Sequence, residues 1–388
     1  MFVSLVNTFD NVKKDLFQMR TQLYENPELG DEEYQSMKLI TDYLRSHDFE
    51  VETGIVDRPT AFKAEFNSHK PGPTVAYLAE YDALPGIGHG CGHNLIAMMS
   101  TGAGVVLSKE LREIGGKVIV FGTPAEETNG AKVPMSEQGI FDDADVAMMV
   151  HPSDVSEESG ATLAMDAIQF DFTGKTSHAA ASPEEGINAL DGVIQLFNGI
   201  NALREHLPDD IRIHGVISEG GKAANIVPEK AVAQFYVRSQ SREKLNEVVE
   251  KVKQIAHGAA TMTGASVDIS NYELSYDNMI TNQTLSDTFT KHLKQYSKHP
   301  IEPSKQAYGS ADMGNVSQVV PSIHPYIGLN EPDLTFHTKA FADKTITKDG
   351  DDVIASGVLS LAQTGYEVIT NNELLAAVKK EFKSPKNN

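Results

Sequence analysis

Two segments of this 388-residue chain carry side chains whose types and spacing suit metal chemistry. The first is His89-Gly90-Cys91-Gly92-His93-Asn94. Glycines on both sides of Cys91 let the backbone turn tightly, so a thiolate and an imidazole two residues apart can converge on one ion. Zinc and similar borderline metals prefer these two donors. The second segment is Glu126-Glu127, which follows Pro124-Ala125. Neighbouring carboxylates at a strand end point in different directions, so one can hold a metal while the other moves a proton. His151 closes an apolar run from Val146 to Val150, and His337 lies in Leu334-Thr335-Phe336-His337-Thr338. Taken singly, adjacent acids also suit a solvated face, and a lone histidine also suits a core.

The elements that would position these groups can be read from the apolar pattern. Thr74 to Leu78, Lys117 to Phe121 and Val146 to Val150 read as strands alternating with helices, which implies an α/β sheet. Asp82, Glu126-Glu127 and His151 all fall just beyond these strands, where ligands gather in open α/β sheets. Val12, Leu16, Met19 and Leu23 mark an opening helix, and a second is expected from about Glu32 to Ser46. Leu95, Met99, Ala103 and Val106 predict a further helix with one apolar stripe.

Near residue 165 the pattern changes. Ile168-Gln169-Phe170-Asp171-Phe172 alternates with period two, as a half-buried strand does. A helix striped by Leu190, Val193, Phe197 and Ile200 follows, then strands at about 211–218 and 229–238. A helix with Leu245, Val248, Val252 and Ile255 leads to a last strand near 266–272. This strand–helix–strand–strand–helix–strand order is that of a ferredoxin-like α+β unit. Residues 165–275 therefore read as a domain inserted into a mixed-sheet α/β domain formed by 1–164 and 276–388. The tail from Lys383 to Asn388 is expected to be disordered.

Composition narrows the partners. The chain has 33 basic against 54 acidic side chains, a net charge of −21. Such a surface repels phosphate backbones and anionic membranes and attracts cations, so neither nucleic acid nor membrane is expected. Cys91 is the single cysteine, which rules out an internal disulfide and suits a reducing cytosol. No run of 18 apolar residues occurs and no secretory apolar segment follows Met1. The expectation is a soluble, cytoplasmic protein.

Taken together, the motifs resemble the aminoacylase and carboxypeptidase family of dinuclear metallopeptidases (family M20), in the amidohydrolase branch whose site contains a cysteine. The resemblance runs through Asn26-Pro27-Glu28-Leu29, Glu80-Tyr81-Asp82-Ala83-Leu84-Pro85, His89 to His93 and Pro124 to Glu127. It continues through His151, Gly174 to Ala180, Asn225-Ile226-Val227-Pro228, Gly309-Ser310-Ala311-Asp312 and His337. It implies that Cys91, His93, Glu127, His151 and His337 hold one or two divalent ions per subunit, zinc or manganese. It assigns Glu126 as general acid/base acting on a metal-activated water, and Asp82 as the acid that supports the metal ligands from behind.

His178 resembles a histidine that reaches from the inserted lid and dimerisation domain into a partner subunit's site to stabilise an oxyanion. Asn225 and Arg238 resemble residues that hold the substrate carboxylate. The implied protein is a homodimer or tetramer that cleaves the amide of an N-acyl or N-aroyl amino acid or of a dipeptide. Asn94, Ile96 and Tyr24 depart from the branch's usual Asp, His and His, while Cys91-Gly92-His93-Asn94-Leu95 and Gly309 to Asn315 look more like the aminobenzoyl-glutamate hydrolase and related dipeptidase subgroup. A deacylase of a non-peptide metabolite and a non-catalytic metal-binding protein are the alternatives. The intact Glu126-Glu127 pair speaks against the second, since a binding protein needs no general base.

Overall fold

A computed structural model describes residues 3–305 and 309–384 of the protein. The chain forms two compact units. Thr162–Asn278, with Tyr308–Ser310, make one; Met1–Ala161, Met279–Ala307 and Ala311–Asn388 make the other.

The larger unit is built on a six-stranded sheet. Its spatial order is Glu50–Thr53, Phe62–Asn67, Lys117–Gly122, Thr74–Ala79, Val146–Met148 and Ser322–Ile323. The last four strands are parallel, and the two pairings at the other edge are antiparallel. Parallel strands covered on both faces need unbroken apolar sequence rather than alternation. Thr74–Ala79 meets that need, being buried at every position.

The helix His93–Ile114 packs between this sheet and the helices Val3–Glu25 and Lys348–Thr370. The sequence predicts one apolar stripe for it, but every residue from His93 to Ser108 is buried. Its glycines permit the close approach. A Cβ on Gly102 would meet Val358 and Leu16 within 2.7 Å, and one on Gly104 would lie 2.4 Å from Val120.

A second sheet orders Ile301–Glu302, Ser156–Glu157, Tyr326–Gly328 and His151–Ser153. It corrects the reading of His151 as the end of a strand. The third parallel strand stops at Met148, and His151 opens the next strand, its N–H donating to the Pro325 carbonyl at 3.0 Å. The tail reading is corrected in part: Lys383 closes the helix Asn372–Lys383, and 385–388 lie outside the described residues. Among the described residues no helix is long and apolar enough to cross a membrane.

The smaller unit is a four-stranded antiparallel sheet ordered Ser266–Asn271, Ala164–Thr173, Lys230–Ser239 and Arg212–Glu219. With the helices Ala189–Arg204 and Arg242–Thr263 it has the ferredoxin-like order expected from the sequence. Alternation decides its faces. Phe170, Phe172 and Phe235 point to the helices and are fully buried, each contributing ~1.5–3 kcal/mol by that burial. Gln234 and Tyr236 occupy the alternate positions, where Gln234 Nε2 donates to Gln169 Oε1 at 2.8 Å.

Candidate metal centre

Three turns at the ends of parallel strands build the cluster. Asp82 follows Thr74–Ala79 and is buried. Cys91 and His93 flank Gly92, which adopts φ +78° and stands where a Cβ would lie 2.4 Å from Pro152 Cγ. Only glycine fits there, and the left-handed turn brings thiol and imidazole to one side. Ala125 holds φ +62° without being glycine. Its N–H donates to Glu33 Oε1 at 2.9 Å, and this buried bond ties down the strained turn that leads into Glu126 and Glu127.

Several of the side chains converge. Cys91, His93 and His151 offer ligand atoms within 4.8 Å of one another, and so do Cys91, Glu127 and His337, and His93, Glu126 and Glu127. Cys91 Sγ lies 3.5 Å from His151 Nε2, and His337 Nε2 lies 3.2 Å from Glu127 Oε1. His337 is itself in a left-handed conformation at φ +61°, with its N–H donating to the Gly90 carbonyl.

Hydrogen bonds set the tautomers. His93 Nδ1 faces two acceptors, Asp82 Oδ1 at 2.9 Å and the Asp82 carbonyl at 3.0 Å, so it carries the proton. His151 Nδ1 faces the Pro152 carbonyl at 2.6 Å, with the same result. Both Nε2 atoms therefore turn toward the cluster. Asp82 accepts a further bond, from the Glu127 N–H to its second oxygen at 3.0 Å. It thereby orients a candidate ligand from each of two segments.

The charge balance is one-sided. Glu80, Asp82, Glu126, Glu127 and Asp312 surround the site, and Lys132 is the buried ammonium among them. Burial, then Glu80, Asp312 and Glu127, push the Glu126 carboxyl well above the usual carboxylate range. Burial also pushes the Cys91 thiol up, and Glu127 and Glu126 add to it. Burial lowers His151 to about 4, which keeps its imidazole neutral. Deep in this cluster, His93 Nε2 and Glu127 Oε1 make no hydrogen bond. Lone pairs and excess negative charge meeting at one point are what a divalent ion satisfies. The donor set, one thiolate, three imidazoles and carboxylates, fits such an ion.

The positions that depart from the branch pattern have structural partners. Asn94 Nδ2 donates to Thr345 Oγ1 at 2.9 Å, Ile96 lies in the core, and the Tyr24 hydroxyl pairs with Asp343. Several contributors escape a reading of the sequence. Glu33 ends the acidic run Asp31-Glu32-Glu33, yet it is fully buried, and burial with the nearby Asp82 raises it to about 7. Lys132 and Asp312 meet across 180 residues, a pairing that no local pattern announces.

The three remaining candidates belong to the smaller unit. His178 pairs with Ile226 in a β-bridge, and the Ala179 N–H donates to the Asn225 carbonyl at 3.0 Å, so His178 and Asn225 are neighbours. His178 Nδ1 accepts from the N–H groups of Ala180 and Ala181 at 3.2 and 3.1 Å, which leaves Nε2 as the exposed donor. Arg238 sits elsewhere. It pairs with Met165, whereas the turns bearing His178 and Asn225 adjoin the Thr173–Lys230 end. Eight residues of strand put these two ends roughly 26 Å apart. The Arg238 guanidinium lies over the Tyr236 ring at 5.5 Å and bonds Ser310 Oγ at 3.4 Å.

Comparison with known proteins adds an independent line. Residues 165–260 match the family described as the peptidase dimerisation domain. The Xaa-Arg dipeptidase of Mus musculus is 35% identical over 96% of this chain and 90% of its own length. A p-aminobenzoyl-glutamate hydrolase chain of Escherichia coli (strain K12) is 32% identical over 71% of this chain and 61% of that one. Among solved structures, a putative aminohydrolase from methicillin-resistant Staphylococcus aureus superposes with a TM-score of 0.78 at 22% identity, covering 94% of this chain and all of that one. A Bacillus subtilis structure described as a dinuclear metal-binding peptidase gives 0.70 at 20% identity, over 92% and 99%.

Proposed function

The chain belongs to the M20 peptidase family and is a metal-dependent amidohydrolase, and from that premise we propose that it cleaves the amide bond of dipeptides and related N-acyl amino acids. The observation that carries this reading is the convergence of Cys91, His93, Glu127, His151 and His337 around unsatisfied lone pairs, with Glu126 beside them. Zinc suits the thiolate of Cys91, and manganese the carboxylates. A divalent ion held by these five residues supplies Lewis acidity, polarising the scissile carbonyl and acidifying water.

The chain's own residues do the rest. Glu126, at the edge of the cluster and 14% exposed, takes the proton from the attacking water. Once protonated, Glu126 passes that proton to the leaving nitrogen. Asp82 keeps His93 in one tautomer and ties the Glu127 backbone to the same point. His178 presents its Nε2–H to the developing oxyanion, supplied by a second subunit, as a dimerisation domain permits. Asn225 and Arg238 bind the substrate carboxylate, Arg238 by a bidentate fork. Because they stand at opposite ends of one sheet, the two act on a single substrate only when different subunits supply them.

The test is a mass-spectrometric hydrolysis screen of purified protein. It offers dipeptides with varied C-terminal residues, N-acyl amino acids and aminobenzoyl-glutamate, with zinc or manganese and with chelator. Chelator-sensitive release of an amino acid is the expected result. Bound metal with no cleavage of any of these amides would defeat the proposal.

A further inference from the structure

One carboxylate at the floor of the site has been given no role by the motifs. Glu80 is 1% exposed, and its two oxygens have different surroundings. Oε1 receives the Lys132 ammonium at 2.6 Å. Oε2 makes no hydrogen bond and stands 3.3 Å from His93 Nε2, which makes none either. His93 Nδ1 is held by Asp82, so Nε2 is the ring nitrogen turned toward Glu80. A buried carboxylate oxygen and an imidazole nitrogen at contact distance call for something positive between them, a metal ion or a proton.

The surroundings hold Glu80 in that position. Lys132 is fully buried, and its ammonium also bonds Asp312 Oδ1 at 2.7 Å. Asp312 Oδ2 accepts the Lys132 backbone N–H at 3.2 Å, and Gly130 leaves room for its carboxyl where a Cβ would lie 2.3 Å from Oδ2. Lys132 is therefore pinned at both its backbone and its tip, and it pins Glu80 in turn. One ammonium between two carboxylates leaves one negative charge over. The single oxygen of the trio left without a hydrogen bond is Glu80 Oε2, on the side of His93.

We propose that Glu80 is an additional metal-holding carboxylate of this centre, aimed by Lys132, with Asp312 anchoring Lys132 from the other side. The proposal rests on reading the Cys91–His93–Glu127–His151–His337 cluster as the metal site, and it adds a sixth side chain to it. Lys132 and Asp312 are positioning residues: they touch neither ion nor substrate. A purely structural Glu80, present only to satisfy Lys132, would leave its second oxygen with no function and ion binding indifferent to its charge.

The experiment uses the full-length protein stripped with chelator. Zinc and manganese are titrated back against a chromophoric competitor, bound ions are counted by elemental mass spectrometry, and cobalt is added separately for its visible absorption. Glu80→Gln preserves shape and removes the charge. The expected result is a Kd raised about tenfold or more for at least one ion, the range seen when groups supporting a metal are removed, together with an altered cobalt spectrum. Glu80→Gln with wild-type stoichiometry, Kd and cobalt spectrum would overturn the proposal. Wild-type protein that binds no divalent ion would instead overturn the metal site itself, so the two failures are distinct. If the Gln variant does not fold, Glu80→Asp, which keeps a charge for Lys132 but withdraws its reach, is read by the same three measurements.

Discussion

Asp82 and His93 meet at 2.9 Å, carboxylate oxygen to Nδ1, with neither side chain more than 1% exposed. The contact fixes which imidazole nitrogen faces the cluster, and the second Asp82 oxygen binds the backbone of Glu127. One carboxylate therefore sets the geometry of two proposed ligands that are 34 residues apart in sequence. Both of its neighbours are donors, so an amide in its place satisfies only one of them. Asp82→Asn should weaken ion binding by roughly 10–100-fold, measured by competition titration, with the folded chain otherwise intact. An unchanged Kd would remove Asp82 from the metal site's support.

The proposed mechanism gives the adjacent Glu126 and Glu127 separate jobs, and substitution should separate them. Glu126→Gln is expected to load the wild-type number of ions while kcat falls by about 10²–10⁴. Glu127→Gln should lose ion affinity as well as turnover. Near-normal turnover by Glu126→Gln would sink the assignment of the proton carrier.

In the proposed centre Cys91 is the one soft donor among nitrogens and oxygens. Cys91→Ser should therefore weaken zinc binding more than manganese binding, read as the ratio of the two dissociation constants. A ratio that stays constant would mean the sulfur makes no bond to the ion.

Gly92 carries a backbone requirement and a packing one. Gly92→Ala adds a methyl in a left-handed turn and directs it at Pro152. Strain of about 1 kcal/mol and overpacking of about 1–3 kcal/mol should together be visible in urea unfolding of the metal-free protein. A loss below about 0.5 kcal/mol would show that the turn can relax.

Glu33 gives the fold a pH signature. Its carboxyl is raised from 4.5 to about 7, by burial first and by Asp82 second. Between these values the folded chain keeps a proton that the unfolded chain has released, so folding is favoured at low pH. That contribution is full below about 4.5 and is lost as pH rises through about 7. Its size is on the order of 3 kcal/mol. In the metal-free protein, Glu33→Gln should therefore gain stability relative to wild type between pH 5 and pH 8, followed by thermal or urea unfolding at each pH. A difference independent of pH would show that Glu33 is ionised throughout.

What the sequence discloses follows from the range of the interactions involved. Cys91, Gly92 and His93 lie within one turn, so composition and spacing alone expose their chemistry. The alternation in Ile168 to Phe172 is local as well, and the inner face of the smaller sheet follows it. The helix after Gly92 is legible from its apolar stripe, but not its full burial, because Ser100, Thr101, Gly102, Gly104 and Ser108 are also covered by other elements. His151 misleads because an apolar run can bend from one sheet into another without a change in composition. Glu80, Lys132 and Asp312 are invisible as a set because their pairings span 52 and 180 residues. Charged residues in isolation read as surface, and only the fold reveals that these are buried.

The proposed ligands also differ in their access to water. His93 and His151 are buried, whereas the His337 side chain is 54% exposed. The cluster therefore has an inner wall and an open flank. An ion held against His93 and His151 can leave only by passing the groups nearer the surface, while one held by His337 meets solvent directly. Dialysis against chelator should consequently proceed in two phases, a fast one that empties the flank and a slow one that empties the wall. If both positions take an ion, the protein would keep a half-loaded state for a finite time, and its history of exposure to metal would then govern how much of a preparation is active at a given moment.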